Sequence, residues 1–82
     1  MEIYRMPDTL ISLFASVLKV PEGSLNDNSS PDTVKEWDSL SAMHLVAALE
    51  STFNVRLNTK EIMRMSTIGI ARQVLREKKV LP

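Results

Sequence analysis

The chain has no cysteine, so disulfides and thiolate metal sites are excluded. Its single histidine, His44, cannot supply a multi-histidine metal site. No apolar run approaches the ~18–20 residues that a membrane-spanning helix needs. The first residues, Met1-Glu2-Ile3-Tyr4-Arg5, lack the basic patch followed by an apolar stretch that marks a secretory signal. A soluble cytoplasmic protein is therefore the default expectation. No alternating strand pattern, internal repeat or low-complexity segment is present, and no set of acids, bases and ligands converges as an enzyme would require.

What is present is compact. Eighty-two residues form one domain, 1–82, with a formal net charge of zero. The balance hides an asymmetry. Residues 20–54 carry six acids and one base, whereas residues 55–82 carry seven bases and two acids. Such a distribution can orient a partner through its field, although a basic last helix can equally be a solvated face. Zero net charge and the lack of a recognition motif weigh against nucleic acid.

Helical periodicity organises the chain. Pro7 fits a first helical position, with Asp8 and Thr9 in the first turn. Leu10, Ile11, Leu13, Phe14, Val17 and Leu18 follow at helical spacing, and Pro21 ends the run. Residues 21–37 are rich in turn formers and read as a long loop, anchored on the core by Leu25, Val34 and Trp37. A second helix starts at Asp38 or Ser39 and runs to about Phe53, where Asn54 ends it. Asn58-Thr59-Lys60-Glu61 predicts a capping box for a short third helix over about 59–65. Ser66-Thr67 caps a fourth, about 67–79, with Ile68, Ala71, Val74 and Leu75 facing inward. The fold class is all-α, a small four-helix bundle with a long first loop and a short third helix.

The second helix carries two apolar faces. Ala42, Leu45, Val46, Leu49 and Phe53 cluster as a core stripe. Leu40, Met43 and Ala47 form another, roughly 140° away, with Ser39 at its head. Either the short third helix covers Met43 and Ala47, or the stripe is a docking strip for a partner.

A lone serine at a helix start is usually a cap. Here Glu36-Trp37-Asp38-Ser39-Leu40 follows a long loop and opens an amphipathic helix that ends in Ala48-Leu49-Glu50-Ser51-Thr52-Phe53-Asn54-Val55. This combination, with the helix order around it, resembles the acyl carrier protein family over nearly the whole chain. The resemblance implies that Ser39 carries 4′-phosphopantetheine, received from coenzyme A through a separate phosphopantetheinyl transferase. The arm's terminal thiol would hold acyl groups as thioesters, for exchange with acyl-loading and acyl-transferring enzymes. Ser39 itself would catalyse nothing: no histidine or lysine adjoins it, and His44 lies about 140° around the wheel. A phosphodiester there would sit at a helix N-terminus, which favours anions.

The same resemblance implies docking through acids along the second and third helices. Asp38 and Glu50 match such positions, joined by the apolar Leu40, Met43 and Ala47, but Ser41, His44 and Ser51 stand where acids are frequent. The third helix offers Lys60 and Arg64 against one acid, Glu61. A specialised pathway, polyketide, nonribosomal or envelope-lipid, fits this better than bulk fatty-acid synthesis, with the carrier acting as a monomer. Leu45, Val46, Leu49 and Phe53, with Ile62, Met63 and Met65, either line an acyl pocket or simply pack the core. The competing reading of the whole chain is an unmodified helical protein–protein interaction module.

Overall fold

A computed structural model describes residues 8–81. Four α-helices follow one another: α1 (Thr9–Leu18), α2 (Ser39–Phe53), α3 (Thr59–Arg64) and α4 (Ile68–Glu77). No strand occurs among the described residues, and no helix there is long and apolar enough to cross a membrane.

Helix α1 is capped by Asp8, whose carboxylate accepts from the Ile11 N–H at 3.2 Å. Asp8 thus stands just outside the helix rather than in its first turn, and the expected role of Pro7 falls outside the described residues. Leu10, Phe14, Ala15 and Leu18 are buried along one face. Lys19 closes the helix in the left-handed region (φ 60°), and the Val20 N–H reaches back to the Ala15 carbonyl at 3.1 Å.

The long loop is ordered by its own polar side chains, with one 3₁₀ turn at Glu22–Ser24. Ser29 Oγ accepts from the Asn26 N–H at 2.9 Å, and Thr33 Oγ1 from the Ser30 N–H at 3.0 Å. Leu25, Val34 and Trp37 are buried beneath it. Trp37 meets Phe14 edge to face, with ring centroids 5.3 Å apart.

The loop is also fastened to the start of α4. The Ile68 N–H donates to the Ser29 carbonyl at 3.1 Å and the Gly69 N–H to the Asp27 carbonyl at 2.9 Å. Arg72 bonds both Asp8 and Asp27 at 2.9 Å, joining α4, the loop and the α1 cap. A Cβ at Gly69 would lie 3.0 Å from the Asp27 carbonyl oxygen, so this approach requires the smallest residue.

Helix α1 packs on both α2 and α4, and the core closes over Leu10, Phe14, Leu49, Ile68, Val74 and Leu75. Thr67 caps α4 by accepting from the Ile70 N–H at 3.1 Å. Helix α4 stops at Glu77, short of the expected 79, because Lys79 turns into the left-handed region (φ 62°).

Short helix α3 has the anticipated capping box, with Asn58 and Glu61 exchanging bonds at 2.9 Å. It buries no residue of its own. It is tied to α4 by ion pairs, Glu61 to Lys78 at 2.9 Å and Arg64 to Glu77 through two bonds at 3.0 and 3.1 Å.

Candidate functional site

The start of α2 is built by three neighbouring residues. Asp38 takes extended geometry as the cap, and its carboxylate accepts from the Ser41 N–H at 2.9 Å. That bond, with the nearby Ser41 hydroxyl, holds the Asp38 carboxyl below its usual range and keeps it ionised. The Ser41 hydroxyl donates to the Glu36 carbonyl at 2.8 Å, fixing the helix to the loop before it. Between these fixed groups Ser39 is the first helical residue, and it is exposed. Among the described residues no group bonds its hydroxyl.

Such a hydroxyl is accessible but not activated. His44 is exposed on α2, five residues on and 140° around the helix. No three His, Cys, Asp or Glu residues gather as a metal site among the described residues. Ser39 is thus an accessible hydroxyl with no base bonded to it among the described residues. Helix geometry leaves the Ser39 and Leu40 N–H groups without an acceptor inside the helix, which favours a phosphodiester beside them. The ionised Asp38 next to them opposes a second anion, so the group would extend outward into water.

Along α2 from Ser39, Leu40 is 61% and Met43 69% exposed, and Ala47 is exposed as well. Helix α3 does not cover this stripe. Ala42, Met43, Val46 and Ile62 instead border an open apolar groove of about 290 Å³ between the two helices. Glu50, at the other end of α2, is half-buried, and its Oε2 accepts from the Leu57 N–H at 2.9 Å. Part of its carboxylate thus serves the link after α2. On α3, Arg64 and Glu61 are occupied by α4, and Lys60 has no ion-pair partner among the described residues.

A second, inner cavity of about 50 Å³ lies behind the groove. Leu45, Val46, Leu49, Ile62 and Met65 line it, and Phe14, Trp37 and Ala42 complete its wall. Phe53 is half-buried against the core and does not reach it. Met63 is 79% exposed, so it neither lines an apolar pocket nor packs the core, the two places expected for it. Ile62 and Met65, three residues apart, share the side of α3 that faces α2, and Met63 is turned 100° away. Phe14 and Trp37 are absent from the expected set, because only the tertiary path brings α1 and the loop behind α2, and Ala42 is placed there only in the core stripe. A surface depression lined by Glu50, Asn54, Val55, Arg56 and Leu57 lies at the far end of α2 from Ser39.

An all-helical domain with an exposed, unactivated serine opening its second helix has the form of a carrier for a covalent arm. The family model for the phosphopantetheine attachment site matches residues 8–69, which is 62 of the 82 residues. The chain belongs to this family, whose domain is the site of covalent 4′-phosphopantetheine attachment, and it is a phosphopantetheine-bearing carrier protein. Comparison with curated proteins gives no match.

Proposed function

We propose that Ser39 is the attachment residue and that the protein carries acyl groups as thioesters for partner enzymes. The supporting observation is the state of Ser39: exposed, unbonded and held at the head of α2 between Asp38 and the fixed Ser41. In the transfer, Ser39 Oγ displaces adenosine 3′,5′-bisphosphate from coenzyme A. One P–O bond of the pyrophosphate breaks as the Ser39 P–O bond forms, and the hydroxyl proton passes to a base of the transferase. When bound, the arm supplies a thiol that exchanges acyl groups at a reach no side chain has. The chain's own residues keep the attachment point outside and the helix start rigid.

The apolar strip of Leu40, Met43 and Ala47 serves as the docking face, with Asp38 and Glu50 as its acids. Because Ser41, His44 and Ser51 supply no negative charge, the carrier works in a specialised pathway, polyketide, nonribosomal or envelope-lipid. It does so as a single cytoplasmic domain, monomeric and without catalysis of its own.

The test is direct. Purified protein is incubated with a promiscuous phosphopantetheinyl transferase and coenzyme A, and intact mass is recorded. One added arm in wild type and in Ser41→Ala, and none in Ser39→Ala, is the expected result. No addition to wild type refutes the assignment and favours an unmodified interaction module using the same exposed strip.

A further inference from the structure

Two bonds converge on Ser41. Its backbone N–H donates to the Asp38 carboxylate at 2.9 Å, and its hydroxyl donates to the Glu36 carbonyl at 2.8 Å. The first bond closes over Ser39 and Leu40, and the second over the whole segment from Trp37 to Leu40. Ser39 therefore lies inside both loops. Among the described residues no other hydrogen bond joins residues 21–37 to α2.

The Ser41 hydroxyl links two points that are each fixed by other means. On the loop side, the Trp37 ring is buried against Phe14, and the Trp37 backbone N–H donates to the Val34 carbonyl at 3.0 Å. On the helix side, the Ala42 N–H donates to the Asp38 carbonyl at 2.9 Å. Between them the chain has little else to hold it. The Ser39 and Leu40 N–H groups have no acceptor within the helix, and first turns fray. Both side chains are exposed, so the direction in which Ser39 Oγ leaves the surface is set by the backbone around it.

Only a donor can make this tie. The Glu36 carbonyl accepts, and a carboxylate at neutral pH has no hydrogen to offer, whereas threonine keeps the hydroxyl. A serine here forgoes a charge that could face a partner and gains a bond within the turn.

We propose that Ser41 is a positioning residue for arm attachment, its hydroxyl holding the turn that presents Ser39. The inference rests on the carrier reading and adds a residue to it. Ser41 takes no part in the bond exchange. A looser turn leaves Ser39 Oγ out of line with the pyrophosphate for more of the time, which slows the bound complex rather than hindering its formation.

Initial rates of arm transfer from coenzyme A by a promiscuous phosphopantetheinyl transferase are measured by intact mass across carrier concentrations. Wild type is compared with Ser41→Ala, Ser41→Asp and Ser41→Thr, each checked by circular dichroism for a folded state. Ser41→Ala should still gain its arm in the end, but with kcat lowered about fivefold, the scale of one lost hydrogen bond. Its KM should stay within about twofold of wild type, because the strip of Leu40, Met43 and Ala47 is untouched. Ser41→Asp should be as slow as Ser41→Ala despite its added charge, and Ser41→Thr should restore the wild-type rate. Amide hydrogen exchange at residues 39–41 should quicken in the two slow variants and not in Ser41→Thr.

A Ser41→Asp variant as fast as wild type or faster overturns the proposal, because the position would then serve charge. So does a Ser41→Thr variant as slow as Ser41→Ala, or a raised KM with kcat unchanged, which would make Ser41 a contact of the transferase. Failure of wild type to gain an arm refutes the carrier reading and this assignment with it. Wild-type rates in all three variants refute this assignment alone.

Discussion

Leu49 and Met43 lie on the same helix and separate folding from recognition. Leu49 is fully buried and forms part of the wall of the inner cavity, whereas Met43 is 69% exposed at the edge of the groove. Truncating a buried leucine removes its transfer free energy and leaves a void whose cost grows with its volume, about 2–5 kcal/mol in total. At Leu49 the new void joins an existing cavity of about 50 Å³, which places the loss toward the upper half, about 3–5 kcal/mol. Domains of this size have only ~4–12 kcal/mol in all. With a urea slope near ~1 kcal/mol per molar, Leu49→Ala should lower the midpoint by roughly 3–5 M. Met43→Ala should stay within ~0.5 kcal/mol of wild type, the usual range for surface changes. Unfolding is followed by circular dichroism, with the transferase and acyl-loading rates measured on the folded variants. Met43→Ala is expected to slow at least one partner by about fivefold or more, the size of a contact worth ~1 kcal/mol. Equal losses of stability in the two variants would refute the reading of Leu40, Met43 and Ala47 as a face kept for partners.

Acid should weaken the junction at Arg72. Burial alone would raise the Asp8 carboxyl, but the bond and charge of Arg72 and the Ile11 N–H together hold it below its ordinary 3.8. A carboxyl lowered on folding stabilises above its unfolded value, and that contribution is lost as pH falls through the folded one. Asp38, Glu61 and Glu77 are lowered in the same sense, so wild type should lose stability below about pH 4. Arg72→Met should cost no more than ~1 kcal/mol at pH 7, given the exposure of its acids, and should flatten the acid loss between pH 4 and pH 3 in urea midpoints. Gly69→Ala should destabilise by roughly 1 kcal/mol despite the better helix former, because its methyl group meets the Asp27 carbonyl; a raised urea midpoint would show that the loop yields. The triple variant His44→Glu, Ser51→Glu and Lys60→Glu should speed loading by a malonyl transferase of fatty-acid synthesis, most at low salt. Ser41 is left alone because its hydroxyl holds Glu36. Wild type loading as fast as an acidic carrier would refute the specialised-pathway reading.

Features governed by neighbours in sequence were the legible ones. The α3 capping box, the Thr67 cap and the inward set Ile68, Ala71, Val74 and Leu75 follow from spacing alone. So does the separation of Leu40, Met43 and Ala47 from the buried Leu45 and Leu49, which a helix of fixed pitch sets, whereas spacing left open whether α3 covers Met43 and Ala47. What required the tertiary path was not legible. No local pattern brings Phe14 and Trp37 behind α2, and none pairs Arg64 with Glu77 or Glu61 with Lys78. Charge counted along α3 suggested a basic helix. Two of its three charged side chains are bonded to α4, so among the described residues its outward face carries only the charge of Lys60 unpaired. Met63 was misplaced because a six-residue helix is too short for periodicity to distinguish its sides.

The fastening of the long loop to α4 bears on how this unit can be moved between chains. The family match ends at residue 69, only two residues into α4. Ala71, Val74 and Leu75, all fully buried, lie beyond that point, as does Arg72, which joins the loop to the α1 cap. Val80 and Leu81 also pack against the core. A graft cut at the edge of the match would therefore carry Ser39 and its helix intact while stripping the support from the loop that aims them. A transplantable module has to run through residue 81.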